Sequence, residues 1–273
     1  MNSVATIYGK GCRIEWNEGM SIMAGAPEHI EASLNYSVDR KFSRVVSIYD
    51  GRAILGQLSL EKQGFVLTHR ETAVRDFYDA AEVRSIYYPE VEQLLKDMTG
   101  AAKVLAFEHD VRCLPASKRG QKGVREPVRI VHDDYTEKSA PERVRLYLPE
   151  EAEGLLKSRF AVINVWRPIA GPVLDTPLAV CDAQSLAEHD LIPTEENVKH
   201  EVYLFRFSQN HRWYYFPHMH RGEALLIKCF DSASDGRARF TAHSAFDDLT
   251  TPPNTVARES IEVRALAFFT PRA

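Results

Sequence analysis

Cysteine is scarce in this chain of 273 residues, and its four cysteines, Cys12, Cys113, Cys181 and Cys229, are widely separated. The absence of a Cys-x-x-Cys pair speaks against a zinc knuckle, and so few cysteines speak against a dense disulfide framework. Reduced thiols are the ordinary state of such residues in a cytoplasm. The cysteine content therefore favours a cytoplasmic protein.

An excess of basic charge, long apolar runs and internal repeats are also missing. The formal net charge is -4, with 26% charged and 44% hydrophobic residues, a globular balance without a positive surface for nucleic acid or an anionic membrane. No apolar run approaches the length of a membrane span, and residues 1–5 lack the basic start and apolar core of a signal peptide. We therefore expect neither a nucleic-acid partner nor a membrane partner.

Short strands and two helices are predicted in the N-terminal part of the chain. Apolar residues at helical spacing predict helices over residues 72–81 and 88–98, and Gly100 would end the second helix. A helical platform thus precedes the C-terminal part. Runs of β-forming residues between turn signals predict strands over residues 5–7, 44–49, 54–58 and 64–67.

Strands dominate the C-terminal part, apart from a helix over residues 141–158 that Pro149 would split. Short strands separated by turn signals indicate an antiparallel barrel or jelly roll. We predict one mainly β domain with α-helices (α+β) over residues 1–273, in which residues 1–100 flank the barrel and residues 101–273 form it. The predicted strands cover residues 103–107, 160–168, 202–207, 213–217, 224–230, 239–246 and 261–269.

A short apolar run over residues 130–135 ends in a His-x-Asp pair. Side chains alternate along a strand, so His132 and Asp134 would point to one side and Asp133 to the other. Two imidazoles and one carboxylate on one face form the facial triad of a non-haem ferrous site, which leaves positions open for a bidentate cosubstrate and O2. His243, within a later predicted strand, is the candidate for the third ligand.

Other histidines offer alternative ligands. His218 and His220 also stand two residues apart and could share one face of a strand, although the segment around them is rich in turn residues. His109 lies near the end of a predicted strand, where a hydrogen-bonded histidine is the more frequent role. From the residues alone, the third ligand remains open between His243 and the His218–His220 pair.

Arg258 and Ser260 share one face of an extended segment, because Glu259 between them points the opposite way. A guanidinium fork can hold a carboxylate through two hydrogen bonds while a hydroxyl donates a third, which suits the distal carboxylate of 2-oxoglutarate. Arg264 lies on the same face of a regular strand and is the alternative anchor. The motifs together indicate Fe(II), 2-oxoglutarate and O2 as the reaction partners.

The order of these motifs resembles that of the Fe(II)/2-oxoglutarate oxygenases of the isopenicillin-synthase type. It is more closely similar to the cephem methoxylase and gibberellin desaturase-like group, and to aziridine-forming oxygenases of fungal secondary metabolism. The resemblance implies a double-stranded β-helix with iron at His132, Asp134 and His243. It also implies that Arg258 with Ser260 holds 2-oxoglutarate. The segments that carry the resemblance are residues 164–168, 171–173, 175–182, 211–216, 228–232 and 258–264.

The resemblance further implies an enzyme that hydroxylates, desaturates or cyclises a small molecule. Candidate substrate contacts are Asn164, Trp166, Arg167 and the basic segment over residues 118–125, whose charge suits a carboxylate-bearing substrate. Two other classes compete with this interpretation: a non-catalytic cupin-like protein that binds a metal or a ligand, and a metal-dependent isomerase or hydrolase. Members of this group have also been labelled methyltransferases, but the chain has no Gly-rich strand-to-helix turn for S-adenosylmethionine.

Overall fold

The computed structural model describes residues 29–36, 42–115, 120–194 and 200–270. The strand predicted over residues 5–7 and part of the basic segment 118–125 lie outside these ranges. Helices among the described residues are few and short: α1 (Ala80–Glu82), α2 (Tyr88–Thr99), α3 (Ser139–Tyr147) and α4 (Ala152–Leu155). Short segments of 3-10 helix cover Gly51–Gln57, Ala183–Ser185 and Glu188–Asp190, and a π-helical segment over Val83–Tyr87 joins α1 to α2.

Fourteen strands occur in the same ranges and pair into two sheets. They are β1 (His29–Asn35), β2 (Ser43–Asp50), β3 (Phe65–His69), β4 (Lys103–Cys113), β5 (Val124–Arg125), β6 (His132–Asp133), β7 (Phe160–Ala170), β8 (Leu178–Cys181), β9 (Leu191–Pro193), β10 (Tyr203–Phe205), β11 (Trp213–Tyr215), β12 (Glu223–Asp231), β13 (His243–Ala245) and β14 (Glu259–Phe268). The larger sheet has the order β1-β2-β11-β8-β13-β6-β10-β9, and the smaller sheet has the order β3-β12-β7-β14-β4-β5. Most neighbouring strands are antiparallel.

The two sheets face each other across a buried core, and side chains alternate along each strand as the pleat requires. On β7, Val162 and Trp166 point into this core, whereas Ile163 and Val165 pack on the outer side. On β8 of the opposite sheet, Val180 points inward. The expectation of a mainly β, jelly-roll-like fold is confirmed.

A helical platform covers the outer side of the smaller sheet. Val91, Leu94 and Leu95 of α2 pack with the outward residues of β7 and β14. Gly100 ends the helix in a left-handed conformation with φ of 70°, as predicted. The helix predicted over residues 72–81 is wrong, because the helical segment begins only at Ala80.

Side-chain hydrogen bonds explain the error over residues 72–81. The Glu82 carboxylate accepts the backbone amides of Arg75 and Asp76, and the Glu90 carboxylate accepts that of Ala73. These bonds hold the amides in a turn-rich loop, which competes with a helix. The apolar spacing that suggested a helix arises because the loop buries Val74 and Phe77 in the platform core.

Two further predicted elements differ from the structure. Residues 54–58 do not form a strand, because Asp50 caps the 3-10 turn Gly51–Gln57 by accepting the amide of Arg52. The strand predicted over residues 239–246 is limited to β13. The helix over residues 141–158 is split into α3 and α4 around Pro149, as expected. The helices of the described residues are all too short or too polar to cross a lipid bilayer.

Candidate metal centre

Two histidines meet on neighbouring strands of the larger sheet. His132 on β6 and His243 on β13 are direct partners in the antiparallel register, and their ring centroids lie 4.4 Å apart. Side chains of directly opposed residues in an antiparallel pair stand on the same face of the sheet. The pairing of β6 with β13 therefore brings together two residues that are far apart in the sequence.

Backbone carbonyls fix which nitrogen of each imidazole acts as the hydrogen-bond donor. Nδ1 of His132 lies 2.8 Å from the Ile130 carbonyl, and Nδ1 of His243 lies 3.0 Å from the Thr241 carbonyl. A carbonyl oxygen only accepts hydrogen bonds, so Nδ1 is the donor in each ring and Nε2 is the nitrogen left to bind a metal ion. Metal-binding histidines are typically held in this way.

The electrostatics of His243 agree with a neutral ring. Its side chain is 2% exposed, and burial together with the neighbouring His132 lowers the pKa of His243 to about 4. The imidazole is therefore neutral at pH 7, the state that binds a metal ion.

Asp134 follows β6 and completes a compact donor set. One carboxylate oxygen, Oδ1, lies 3.4 Å from Nε2 of His132. Ligand atoms of His132, Asp134 and His243 all lie within 4.8 Å of one another. Burial would raise the pKa of Asp134, but the Arg264 guanidinium and the two imidazoles hold that pKa well below its usual range. The set combines two imidazole nitrogens with one carboxylate oxygen.

The second oxygen of Asp134 is held by the smaller sheet. Oδ2 accepts a hydrogen bond from Nδ2 of Asn164 on β7 at 2.7 Å and one from Nε of Arg264 on β14 at 3.1 Å. Asn164 and Arg264 are direct partners in the β7–β14 register. Two donors on one oxygen orient the carboxylate and leave Oδ1 toward the histidines.

A second donor set shares His243 but has different chemistry. Asp133, which was expected to face away from the triad, comes with Cys229 within 4.8 Å of His243. Burial and the neighbouring Asp134 raise the pKa of Asp133 well above its ordinary value. Burial and the neighbouring Asp133 likewise raise the pKa of the Cys229 thiol. A protonated acid and a protonated thiol are poor metal ligands, so the set with Asp134 is the better candidate.

A narrow inner cavity adjoins the two histidines, and its lining includes His132, His243, Trp166, Arg258 and Glu262. Arg258 is 3% exposed, and its guanidinium carbon stands 5.5 Å from the centroid of the Trp166 ring. One of its nitrogens donates to the Thr176 carbonyl at 2.6 Å.

Arg258 and Ser260 each carry a buried polar atom without a partner in the described part of the chain. Within the described part of the chain, Nε of Arg258 and Oγ of Ser260 are buried and have no hydrogen-bond partner. Burial, with the neighbouring Arg112 and Arg129, lowers the pKa of Arg258 to about 9. A buried cation without a carboxylate partner is unfavourable unless an anion joins it. These groups are suited to a bound carboxylate.

Arg264, the alternative residue for binding the distal carboxylate of 2-oxoglutarate, differs from Arg258 because it is paired with carboxylates. Its guanidinium donates to Asp134, to Asp110 at 3.0 Å and to Glu262 at 3.1 Å. Three carboxylates already surround this cation. Arg264 therefore has less capacity for a further carboxylate than Arg258 has.

A second and larger cavity has Asp134 in its lining. This outer cavity has a volume of about 400 Å³, and its lining includes Asp134, Arg264, Arg143, Glu108, His109 and Asp110. His109, interpreted from the sequence as a hydrogen-bonded histidine, has its Nδ1 2.9 Å from the Tyr88 hydroxyl. His132 and His243 thus line a narrow cavity that also contains Arg258, whereas Asp134 lines a wider polar cavity.

Some residues singled out in the sequence lie elsewhere. Arg167 is 1% exposed on the outer side of β7, where it donates to the Tyr87 hydroxyl at 3.0 Å and to the Arg221 carbonyl at 2.5 Å. His218 and His220 are exposed, and Nε2 of His220 lies 3.6 Å from a Glu223 carboxylate oxygen. The structure brings none of these three side chains to the donor set, whereas it places Asn164 and Trp166 beside it.

Three polar residues near the site were not singled out in the sequence. Glu262 continues the inward face of Arg258 and Ser260 along β14, so strand alternation could have revealed it. Asp110 on β4 is the direct strand partner of Glu262. Arg143 on α3 carries no sequence signal, because only the packing of the helix places it at the outer cavity.

Comparisons with known proteins show which family the chain is similar to. Residues 16–268 match the family model described as "Oxidoreductase/YMDC permease-like domain". The hydroxylase/desaturase CTB9 of Cercospora beticola is 35% identical over 94% of this chain and 86% of its own length. The alpha-ketoglutarate-dependent dioxygenase phiK of a fungal species is 34% identical over 86% of this chain and 88% of its own length.

A solved structure shares the fold as well as the sequence similarity. The iron and alpha-ketoglutarate-dependent endoperoxidase NvfI superposes with a TM-score of 0.81 at 29% identity, over 90% of this chain and 100% of that chain. The sequence relatives, the shared fold and the chemistry of the donor set all indicate the same family of oxygenases. The chain belongs to the Fe(II)/2-oxoglutarate-dependent oxygenases of fungal secondary metabolism, the group of hydroxylases and desaturases that its motifs resemble.

Proposed function

We propose that His132, Asp134 and His243 hold the catalytic Fe(II) of this oxygenase. The observation that carries the proposal is the convergence of their ligand atoms within 4.8 Å, with both Nδ1 atoms already occupied by backbone carbonyls. Two neutral imidazoles and one carboxylate suit non-haem iron and leave three coordination positions open. When bound, the iron with 2-oxoglutarate and O2 supplies an oxidant strong enough to attack an unactivated carbon.

Arg258 and Ser260 bind the distal carboxylate of 2-oxoglutarate in this proposal. Their buried, unpaired Nε and Oγ atoms provide hydrogen-bond donors, and Arg258 lines the cavity that His132 and His243 also line. A carboxylate there would accept these hydrogen bonds and compensate the charge of Arg258. The cavity has a volume of only about 20 Å³, so its lining side chains must shift to admit the cosubstrate.

Asn164 and Arg264 act on the metal ligand rather than on 2-oxoglutarate. Both donate to Oδ2 of Asp134, which keeps Oδ1 turned toward the histidines. The buried Trp166 ring packs against Arg258, whose guanidinium carbon stands 5.5 Å from the ring centroid, and both side chains are almost fully buried. A dry site strengthens the interaction between Arg258 and a carboxylate.

The substrate is a small molecule, and we propose that it bears a carboxylate and is hydroxylated, desaturated or cyclised. Arginines line the outer cavity next to Asp134, which favours an anionic group. The product would depend on how the cavity holds the substrate radical. The chain as a single oxygenase domain is part of the same proposal, because residues of both sheets and of α3 meet around Asp134.

One titration tests the assignment. Anaerobic protein with Fe(II) is titrated with 2-oxoglutarate, and we expect a weak visible charge-transfer band that is lost in Asp134→Ala and strongly weakened in Arg258→Ala. The exposed Asp76→Ala serves as the matched control and should keep the band. Absence of the band in wild type, or its survival in both variants, would contradict the assignment.

A metal-binding protein without oxidation is the second class to exclude. It would bind Fe(II) through the same three ligands but would form no succinate from 2-oxoglutarate and would not need Arg258. Succinate formation under air, measured in wild type and in Arg258→Gln, separates the two. A wild type that forms no succinate while it binds Fe(II) would favour the binding protein.

A further inference from the structure

The outer cavity has an unequal number of charges once Asp134 is assigned to the metal. Three guanidinium groups line it, those of Arg125, Arg143 and Arg264, against the two carboxylates of Glu108 and Asp110. One positive charge is therefore in excess.

Two of the three guanidinium groups are already paired with carboxylates. Asp110 receives Arg264 at 3.0 Å and Arg125 at 3.2 Å, and it also lies 3.2 Å from Arg112 of the inner cavity. Arg264 has two further carboxylates in Asp134 and Glu262. The excess charge is consequently that of Arg143.

Arg143 projects from α3 and lacks a close carboxylate in the described part of the chain. Its nearest one, Glu108, lies 4.0 Å away, beyond hydrogen-bond distance, and accepts the hydroxyl of Tyr147. A second nitrogen of Arg143 lies 3.4 Å from Nδ1 of His200. Its Nε is buried and has no hydrogen-bond partner among the described residues, and the side chain as a whole is 13% exposed. A donor in this state is suited to an anion from outside the chain.

We propose that Arg143 binds the carboxylate of the substrate in the outer cavity, so that the rest of the molecule extends toward Asp134. The volume of about 400 Å³ lies within the range of small-molecule sites. The proposal rests on the assignment of Asp134 to the iron, because that assignment makes this cavity the substrate side. It adds a binding residue that none of the motifs in the sequence contains.

The test compares carboxylates with their uncharged isosteres. Anaerobic protein with Fe(II) and saturating 2-oxoglutarate is titrated by calorimetry with 4-phenylbutyrate, indole-3-acetate and octanoate, each beside its primary amide. Saturating 2-oxoglutarate keeps the probes away from Arg258. For at least one pair we expect the carboxylate to bind on the order of ten-fold tighter than the amide, as a charge-assisted bond to Arg143 requires.

Variants on one helix locate the preference. Arg143→Gln should bind each carboxylate and its amide equally, and Arg143→Lys should recover part of the preference because it keeps the charge. The matched control is Arg145→Gln, which lies on the same helix but pairs with Glu142 and Glu153 outside the cavity. It should behave as wild type. The charge-transfer band of Arg143→Gln reports that the variant is folded and that its metal centre is intact.

The possible failures can be told apart. Equal binding of carboxylates and amides by wild type, no saturable binding by any probe, or a preference that persists in Arg143→Gln would each overturn the role of Arg143. Displacement of 2-oxoglutarate by the carboxylates would also overturn it, since it would move the binding to the inner cavity. Failure of the metal assignment shows instead as a missing charge-transfer band before any probe is added.

Discussion

Asn164 on the smaller sheet donates its side-chain amide to Oδ2 of Asp134, beside the larger sheet, across 2.7 Å. Asn164 is 0% exposed, so the hydrogen bond is shielded from water. This hydrogen bond connects the smaller sheet to the metal-ligand candidate Asp134 beside the larger sheet. The orientation of the carboxylate therefore depends on how the two sheets pack.

The first prediction concerns this bond. Asn164→Ala should weaken Fe(II) binding by about 10–100-fold, because partners of metal ligands have effects of this size. Metal affinity is measured by anaerobic titration with Fe(II), and with Co(II) as a spectroscopic substitute. The exposed Asn210→Ala is the control. Unchanged affinity in Asn164→Ala would show that Arg264 alone suffices to orient Asp134.

The second prediction separates the candidate third ligands. His243→Ala should lose stoichiometric iron and all succinate formation, whereas His218→Ala should keep both, because His218 is exposed and apart from the donor set. Metal analysis of the reconstituted proteins gives the stoichiometry. The reverse result would move the third ligand to the His218–His220 pair.

The third prediction separates Arg258, which immediately precedes β14, from Arg264 within that strand. Arg258→Gln should weaken 2-oxoglutarate binding by about 10–100-fold and leave iron affinity unchanged, since it removes a charge-assisted contact to the cosubstrate alone. Arg264→Gln should instead weaken iron binding, because it releases Asp134. The exposed Arg206→Gln is the control for both titrations. If the two effects were exchanged, Arg264 would be the anchor.

The fourth prediction concerns Arg167, which lies beneath the helical platform. Arg167→Met should lower the free energy of unfolding by about 1.5–3 kcal/mol, the contribution of a hydrogen bond to a charged group. The reason is that Tyr87 and the Arg221 carbonyl lose their partner. Urea denaturation measures the loss. Iron and 2-oxoglutarate titrations should match wild type, and a selective loss of substrate binding would contradict this role.

The fifth prediction is a pH dependence away from the metal centre. Burial would raise the pKa of Asp231, but Arg159 and Lys228 together lower it below its ordinary value. The unfolded chain then binds more protons than the folded one, so this contribution to stability is present above about pH 4 and is lost as the pH falls through the folded pKa.

Urea denaturation at decreasing pH measures this contribution. Asp231→Asn should be less stable than wild type at neutral pH, and the difference should shrink as the solution becomes more acidic. The exposed Glu150→Gln controls for a general effect of lost negative charge. A difference that stays constant with pH would show that the destabilisation comes from packing instead.

Strand alternation predicted which side chains of the proposed site share one face of a strand. It placed His132 with Asp134, and the structure does bring these two side chains together. It also placed Arg258, which immediately precedes β14, on one face with Ser260 and Arg264 of that strand. It could not rank the two arginines as anchors, because the carboxylates that engage Arg264 come from β4 and from the end of β6 as well as from β14.

The sequence by itself determined the alternating faces of the strands, the stop at Gly100 and the order of the motifs, because each depends on neighbours within a few residues. Only the tertiary structure decided that His243 lies opposite His132, that Arg167 faces away and that Arg143 reaches the outer cavity. Strand pairing and helix packing join residues that are distant in the chain. The His-x-Asp pair is thus a feature of the local sequence, whereas the site around it is formed by the packing of two sheets.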